Sequence, residues 1–279
     1  MYVYYIKLSS SKKRIGLFTQ FFCRSHFKVI ENCIFINLNI IIIVKGMKLI
    51  LENNKSNFEN IILYFTIFSV FGLMLETLYC YATTGVLESR KGLLIGPFCP
   101  IYGIGASIII LVLDKFRDKK IRLFVLGVIF GSIIEYLLSY ALEAIYGNRF
   151  WDYNYLKYNT NGRISAEYSL MWGVLSVLVI IYIKPIIDKY LNRLKKKTKN
   201  KISTILLIFF IVNSLITCWG ITTYKNRIIN KTNDISNKFI NKIEDKIFPN
   251  EIMKKVFPNL RFIDKNGNEI YIRDLINEK

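Results

Sequence analysis

Five apolar runs, each about 20 residues long, divide this chain and leave few folds open to it. They cover residues 58–81, 93–113, 123–146, 168–187 and 202–224. A hydrocarbon core roughly 30 Å thick needs about that length of apolar helix. Lipid offers no partner to an unpaired backbone amide, so only helices and closed barrels cross it. The spacing predicts an all-α membrane protein with about five transmembrane helices. Composition shows how the rest is used: 52% of the 279 residues are hydrophobic, yet the formal net charge is +19. Apolar and basic residues are therefore segregated into blocks. The fourth run, for example, is followed by Lys195, Lys196, Lys197, Lys199 and Lys201, an ending that no buried helix of a soluble protein would carry.

The basic blocks set the orientation, because lysine and arginine in short loops mark the cytoplasmic side. Lys115, Arg117, Lys119, Lys120 and Arg122 fall in the second connector, and Lys189 and Arg193 join the lysine run in the fourth. Both are expected inside, so the first and third connectors face out. The amino terminus is then inside and the tail outside; the tail is rich in lysine, but long segments translocate largely regardless of charge. Lysines grouped beside membrane spans point to anionic lipid headgroups as partners rather than nucleic acid.

Three regions follow. Residues 1–46 carry the only histidine, His26, with Cys23, Cys33 and an apolar patch at 34–44 that is interrupted by Asn37 and Asn39 and too short to span. Met47 begins a polar lead-in, M-K-L-I-L-E-N-N-K-S-N, suited to the cytoplasmic start of a first span. The expectation is that 1–46 is a non-native or disordered extension, that 47–224 is the transmembrane domain and that 225–279 is a tail. Without His26 no histidine remains for a triad, a proton relay or a His-based metal site. Cys80, Cys99 and Cys218 lack C-x-x-C spacing, and no G-x-x-x-x-G-K-[ST] loop is present. No catalytic residue, metal or cofactor is therefore assigned, and any ATPase must be another polypeptide.

Four clusters remain. Glu76 lies in F-G-L-M-L-E-T-L-Y-C, and a carboxylate inside an apolar span costs about 2.5 to 3.5 kcal/mol on insertion scales, so it is a candidate for function or for helix assembly, and either way requires a basic partner. In the third run Glu135, Ser139 and Glu143 recur every four residues on one helical stripe, with Ser132 and Tyr136 beside it. Gly127 and Gly131 extend that stripe as a small-x-x-x-small pair for close helix approach. The stripe's carboxylates call for a watery cavity or for ion pairs with Arg90, Arg149 or Arg163, and Glu135 with Arg163 is the pairing a double mutant would test. A network that only holds helices together is the bland alternative.

The second run opens with R-K-G-L-L-I-G-P-F-C-P-I-Y-G-I-G, where Gly92, Gly96, Pro97, Pro100, Gly103 and Gly105 interrupt any helix and the prolines remove amide donors. The reading is a broken or re-entrant start from Gly92 to Tyr102, with continuous helix from near Ile101; an interfacial loop is the alternative. The fourth cluster precedes the fourth run. Trp151, Tyr153, Tyr155 and Tyr158 suit the headgroup layer, whereas Asp152, Asn161, Arg163 and Glu167 do not reduce to a belt. Asn161-Gly162 is a turn signal that should fold Arg163 back toward Asp152 and Trp151. Trp172-Gly173 continues into the next span.

Together these motifs resemble the putative ABC-transporter type IV permease family of bacterial membrane proteins. The likeness rests on G-x-x-x-E-T in the first run and the glycine-proline segment opening the second. E-Y-L-L-S-Y-x-L-E in the third and F-W-D-Y-N, N-G-R-I and Y-S-L-M-W-G before the fourth complete it, over roughly 58–185. Glu76, Arg90, Gly96, Pro97, Glu135, Glu143, Trp151, Asp152, Tyr153, Asn161, Gly162, Arg163 and Trp172 coincide with its motifs; Phe150 and Asn154 depart from a more usual Trp and Ser. The resemblance implies a multi-pass protein of the bacterial cytoplasmic membrane, working with a separate ATP-binding cassette subunit. It transfers no substrate and no catalytic residue.

In the tail, Ile228, Ile235, Phe239, Ile243 and Ile247 recur at helical spacing, predicting an amphipathic helix. Beyond Pro249 and Pro258, two alternating runs flank Asn266-Gly267 and predict a small β-hairpin that must dock to be stable. Two function classes fit the sequence. In one, a permease-like subunit uses Glu76, the polar stripe and the broken start as a substrate pathway, with an oligomer compatible with it. In the other, a membrane enzyme or assembly factor acts on lipid or cell-envelope headgroups at the outer face, with Glu76, Glu135, Glu143 and Asp152 as acid, base or metal-binding candidates and Arg90 and Arg163 as anion binders.

Overall fold

Apolar runs of this length become helices because the helix satisfies its own backbone. A computed structural model of the chain describes residues 58–146, 148–230, 244–263 and 269–271. All of these belong to the unit Val44–Lys279. Cys23, His26, Cys33, the patch at 34–44, the start proposed at Met47, the tail positions Ile235, Phe239 and Ile243, and the turn Asn266-Gly267 lie outside the described residues.

The order begins with α1 (Phe58–Thr84), an irregular segment, α2 (Pro100–Leu113), a 3-10 turn (Asp114–Phe116) and α3 (Lys120–Tyr146). The third connector holds β1 (Asn148–Arg149), β2 (Asn159–Thr160) and β3 (Ile164–Ser165). Then come α4 (Ala166–Val177), a π-helical stretch (Leu178–Ile183), α5 (Lys184–Leu191) and α6 (Lys196–Asn230). In the tail, α7 (Asn250–Val256), β4 (Arg261–Ile263) and β5 (Glu269–Tyr271) follow. Pro185 brings no amide hydrogen and its ring clashes with the carbonyl four residues back, which accounts for the widened turn just before it.

Four helical stretches among the described residues are long and apolar enough to cross a membrane: Phe58–Thr84, Lys120–Ala144, Ala166–Leu191 and Lys196–Ile228. The expectation was five. The difference lies in α2, whose 14 residues rise only about 21 Å. Its helix starts at Pro100, where a missing amide hydrogen costs nothing because the first-turn amides have no intrahelical acceptor.

Small residues set how closely the helices pack. A Cβ on Gly127 would run into Ser176 and Gly173, and one on Gly173 would come within 2.7 Å of Val128, so α3 and α4 meet nearly backbone to backbone. Trp172 fills the wedge that remains: a Cβ on Gly105 would lie 2.6 Å from its ring, and one on Gly131 would strike its Cβ. Around this contact Leu63, Phe68, Ile109, Leu113, Leu123 and Ile180 form the main apolar core. Outward positions such as Phe71, Leu78, Ile133 and Leu137 are exposed and apolar, the pattern of helices whose outer solvent is lipid.

The tail folds back on the connectors. β4 pairs antiparallel with both β5 and β1, with Asn148 opposite Phe262 and Arg149 opposite Arg261. A second core joins Ile221 and Tyr224 of α6 to Phe248, Met253, Phe257, Leu260 and Phe262, with Leu94 and Phe150 packed against it. Ser89 Oγ donates to the Val256 carbonyl at 2.9 Å. The hairpin strands thus find a third strand and an apolar floor, which a lone hairpin lacks. Of the expected amphipathic helix, α6 runs on to Asn230 and residues 244–247 are helical.

Candidate functional site

Residues 85–99 are not helical, so their backbone groups need other partners. Gly92 N–H donates to the Phe98 carbonyl at 2.9 Å and Cys99 N–H to the Ser69 carbonyl at 3.0 Å. α6 supplies the rest: Leu94 N–H donates to Thr217 Oγ1 at 2.9 Å, Ile95 N–H to Asn213 Oδ1 at 3.2 Å, and Asn213 Nδ2 to the Ile95 carbonyl at 2.7 Å. Asn213 lies 17 residues beyond Lys196, roughly 25 Å along the helix, inside a crossing length. Irregular backbone at such depth is tolerated only where protein covers it or a watery cavity reaches it, and here α6 supplies partners. Gly96 takes φ +80° and so makes the turn before Pro97. Gly103 lets α2 lie against Phe65 and Ser69 of α1.

This segment brings α2 to Glu76. Cys99 Sγ lies 3.9 Å from Glu76 Oε2, and the Tyr102 hydroxyl lies close to the same carboxylate. Tyr102 also lies within electrostatic reach of Glu135, and its ring centre is 6.2 Å from that of Trp172. Glu135 is 4% exposed. It accepts from the Tyr153 hydroxyl at 2.7 Å and from Trp172 Nε1 at 2.9 Å. Two carboxylates from different helices thus lie inside the bundle within each other's field, with Tyr102 near both, and among the described residues neither forms a salt bridge. Burial first, and then the Glu135 charge, holds the Tyr153 hydroxyl well above the ordinary phenol range, so it acts as a fixed donor. Tyr153 stacks on Tyr168 with ring centres 4.4 Å apart.

The other end of the α3 stripe is charged and paired. Glu143 Oε2 receives Arg149 Nε at 2.8 Å and Arg163 Nη2 at 2.8 Å. Arg163 also donates through Nη1 to Ser139 Oγ at 3.2 Å, and its guanidinium sits 5.9 and 5.4 Å from the Tyr136 and Tyr140 ring centres. Arg163 therefore binds Glu143 and Ser139, and the pairing with Glu135 is not made. Arg90 instead lies with Glu88 at 3.6 Å and donates to Cys80 Sγ at 2.8 Å, reaching Glu76 only through its field.

A two-residue turn aims Arg163. Asn161 and Gly162 adopt φ +54° and +67° between β2 and β3, and Trp151 Nε1 donates to the Arg163 carbonyl at 3.1 Å. The Tyr153 amide donates to the Gly162 carbonyl at 2.8 Å, so the turn that aims Arg163 also seats the phenol that binds Glu135. Asp152 Oδ1 accepts from the Asn154 amide at 3.0 Å. The Asn161 side-chain amide reaches the Tyr136 hydroxyl at 3.5 Å.

Sequence reading missed two features. Asn213 and Thr217 lie within an apolar run and show no motif, although two polar residues one turn apart are a signal. At the opposite end of the bundle Tyr64 donates to Asp188, while Lys184 bridges Asp188 at 2.6 Å and Asp114 at 3.4 Å. Arg117 closes that network onto Asp114 at 3.0 Å.

The fold and this site define a predominantly helical membrane protein whose interior carries two carboxylates without salt bridges among the described residues. The chain belongs to the family described as Putative ABC-transporter type IV, whose model matches residues 63–218. No curated protein and no solved structure matches it.

Proposed function

We propose that this protein is a permease-like integral membrane subunit of the bacterial cytoplasmic membrane, moving a substrate with energy from a separate ATP-binding cassette protein. The placement of Glu76 and Glu135 inside the bundle, within each other's field and without a salt bridge, carries the reading: ionisable side chains inside a membrane bundle are costly and mark pathways. In this reading α2 and its irregular start together make a fifth crossing, and the carboxylates line the outer half of the pathway. The basic connectors at 114–119 and 192–195 lie in the cytoplasm. Glu143, held by two arginines, is a closing charge clamp rather than an acid or base, which weighs against an enzyme acting on headgroups.

Affinity capture of the full chain from its native membrane in mild detergent tests this. A cassette ATPase recovered in equal amount, with ATP hydrolysis that changes when Glu135→Gln replaces the native chain, supports the reading. Recovery of lipid or wall enzymes with no cassette protein overturns it.

A further inference from the structure

We propose that the groove at the foot of α3 binds one anionic phospholipid of the cytoplasmic leaflet. Its phosphate sits against Lys119, Lys120 and Arg122, and an acyl chain lies along the apolar track that starts at Ile121. This rests on the orientation given above and is independent of transport.

This surface is shallow and open, and is lined by Lys119, Lys120, Ile121, Arg122, Val125 and Leu126, with Asp118 at its edge. Three cations thus face one carboxylate. The other nearby acid, Asp114, is already taken by Arg117 at 3.0 Å and Lys184 at 3.4 Å, so it does not offset them. Lys115 and Arg122 share the ring of Phe116, at 5.2 and 5.8 Å from its centre, which keeps further positive charge at this tip.

Ile121 is 83% exposed between basic neighbours, a poor place for an isoleucine facing water. Val125, Ile129 and Ile133 follow at intervals of four and are each 48% exposed, so they continue one face of α3 away from the basic tip. A ligand with an anionic head beside an apolar chain matches both halves, and a phospholipid has that form.

Native mass spectrometry of the full, delipidated chain in detergent tests the site, with phosphatidylglycerol and phosphatidylcholine as probes. The unaltered chain should retain one phosphatidylglycerol in preference to phosphatidylcholine. The variant K119Q/K120Q/R122Q should bind it about a hundredfold more weakly, the combined effect of three cations near an anionic surface. K195Q/K196Q/K197Q, at the other basic connector, should bind as the unaltered chain does. Equal loss in both variants, or none in the first, overturns the site. So does a first variant that holds lipid normally but no longer retains a cassette ATPase, which would make the groove a protein-docking surface. Should the triple variant misfold, a photo-crosslinking phenylalanine at Val125 in the otherwise unaltered chain decides: it must capture added phosphatidylglycerol over phosphatidylcholine, and failure to do so refutes the proposal.

Discussion

At the scale of single residues, the arrangement around Arg163 separates a charge clamp from an acidic chain. Breaking a buried ion pair by removing one partner typically costs about 3 to 5 kcal/mol. Glu143→Gln should destabilise the protein in detergent by about 2 kcal/mol, below that range because its side chain is 24% exposed. Arg163→Gln should cost less, because Arg149 still neutralises Glu143. The cycle of Glu143→Gln with Arg163→Gln should show a coupling of about 1 to 2 kcal/mol, whereas Glu135→Gln with Arg163→Gln should be additive within about 0.5 kcal/mol. Thermal unfolding of the five variants, three single and two double, measures both, and coupling in the second cycle would contradict the geometry. The stripe of Glu135, Ser139 and Glu143 was legible in the sequence as a helical face. Which arginine reached which carboxylate was not, because that depends on the turn at Asn161-Gly162 and on where β1 places Arg149.

Among elements, the informative case is the irregular segment before α2. Proline and glycine announce that no helix forms there, but its depth is decided by α6. Replacing Asn213 by Leu removes the partner of both the N–H and the carbonyl of Ile95, and a buried unsatisfied group costs about 1 to 3 kcal/mol. Thermal stability in detergent should fall by about that amount, and unchanged stability would mean that water reaches the segment. The turns offer a second comparison. Gly85 and Gly162 both adopt positive φ, yet a Cβ on Gly85 meets nothing within 4 Å, whereas one on Gly162 meets Asp152 and Asn154. Gly85→Ala should cost roughly the left-handed penalty of about 1 to 2 kcal/mol. Gly162→Ala should cost measurably more in the same unfolding assay, and equal losses would refute the crowding.

For the whole molecule, the docked tail bears on topology. It pairs with β1 in the third connector and bonds to Ser89 in the first, so these three regions lie at one end of the bundle. Cysteines engineered near Gly85, Tyr155 and Lys255 should react with a membrane-impermeant thiol reagent in intact cells, and sites near Lys119 and Lys196 only after lysis. The described native cysteines, Cys80, Cys99 and Cys218, are buried and should give little background. Labelling at the Lys119 site without lysis would reverse the orientation and with it the leaflet assigned to the lipid groove.

By itself the sequence determined the helical membrane class, the basic connectors and the stripe on α3, because hydrophobic length, charge placement and helical period are local properties of the chain. It also held the turn at Asn161-Gly162, whose left-handed backbone is a local demand. Only the tertiary structure decided that α2 is short, that Asn213 and Thr217 support its irregular start and that Tyr102 lies near both Glu76 and Glu135. It alone put Arg163 on Glu143 rather than Glu135. Each of those is a contact between residues far apart in the chain, and such contacts are set by how closely glycine-lined helices approach and where the wedge of Trp172 holds them.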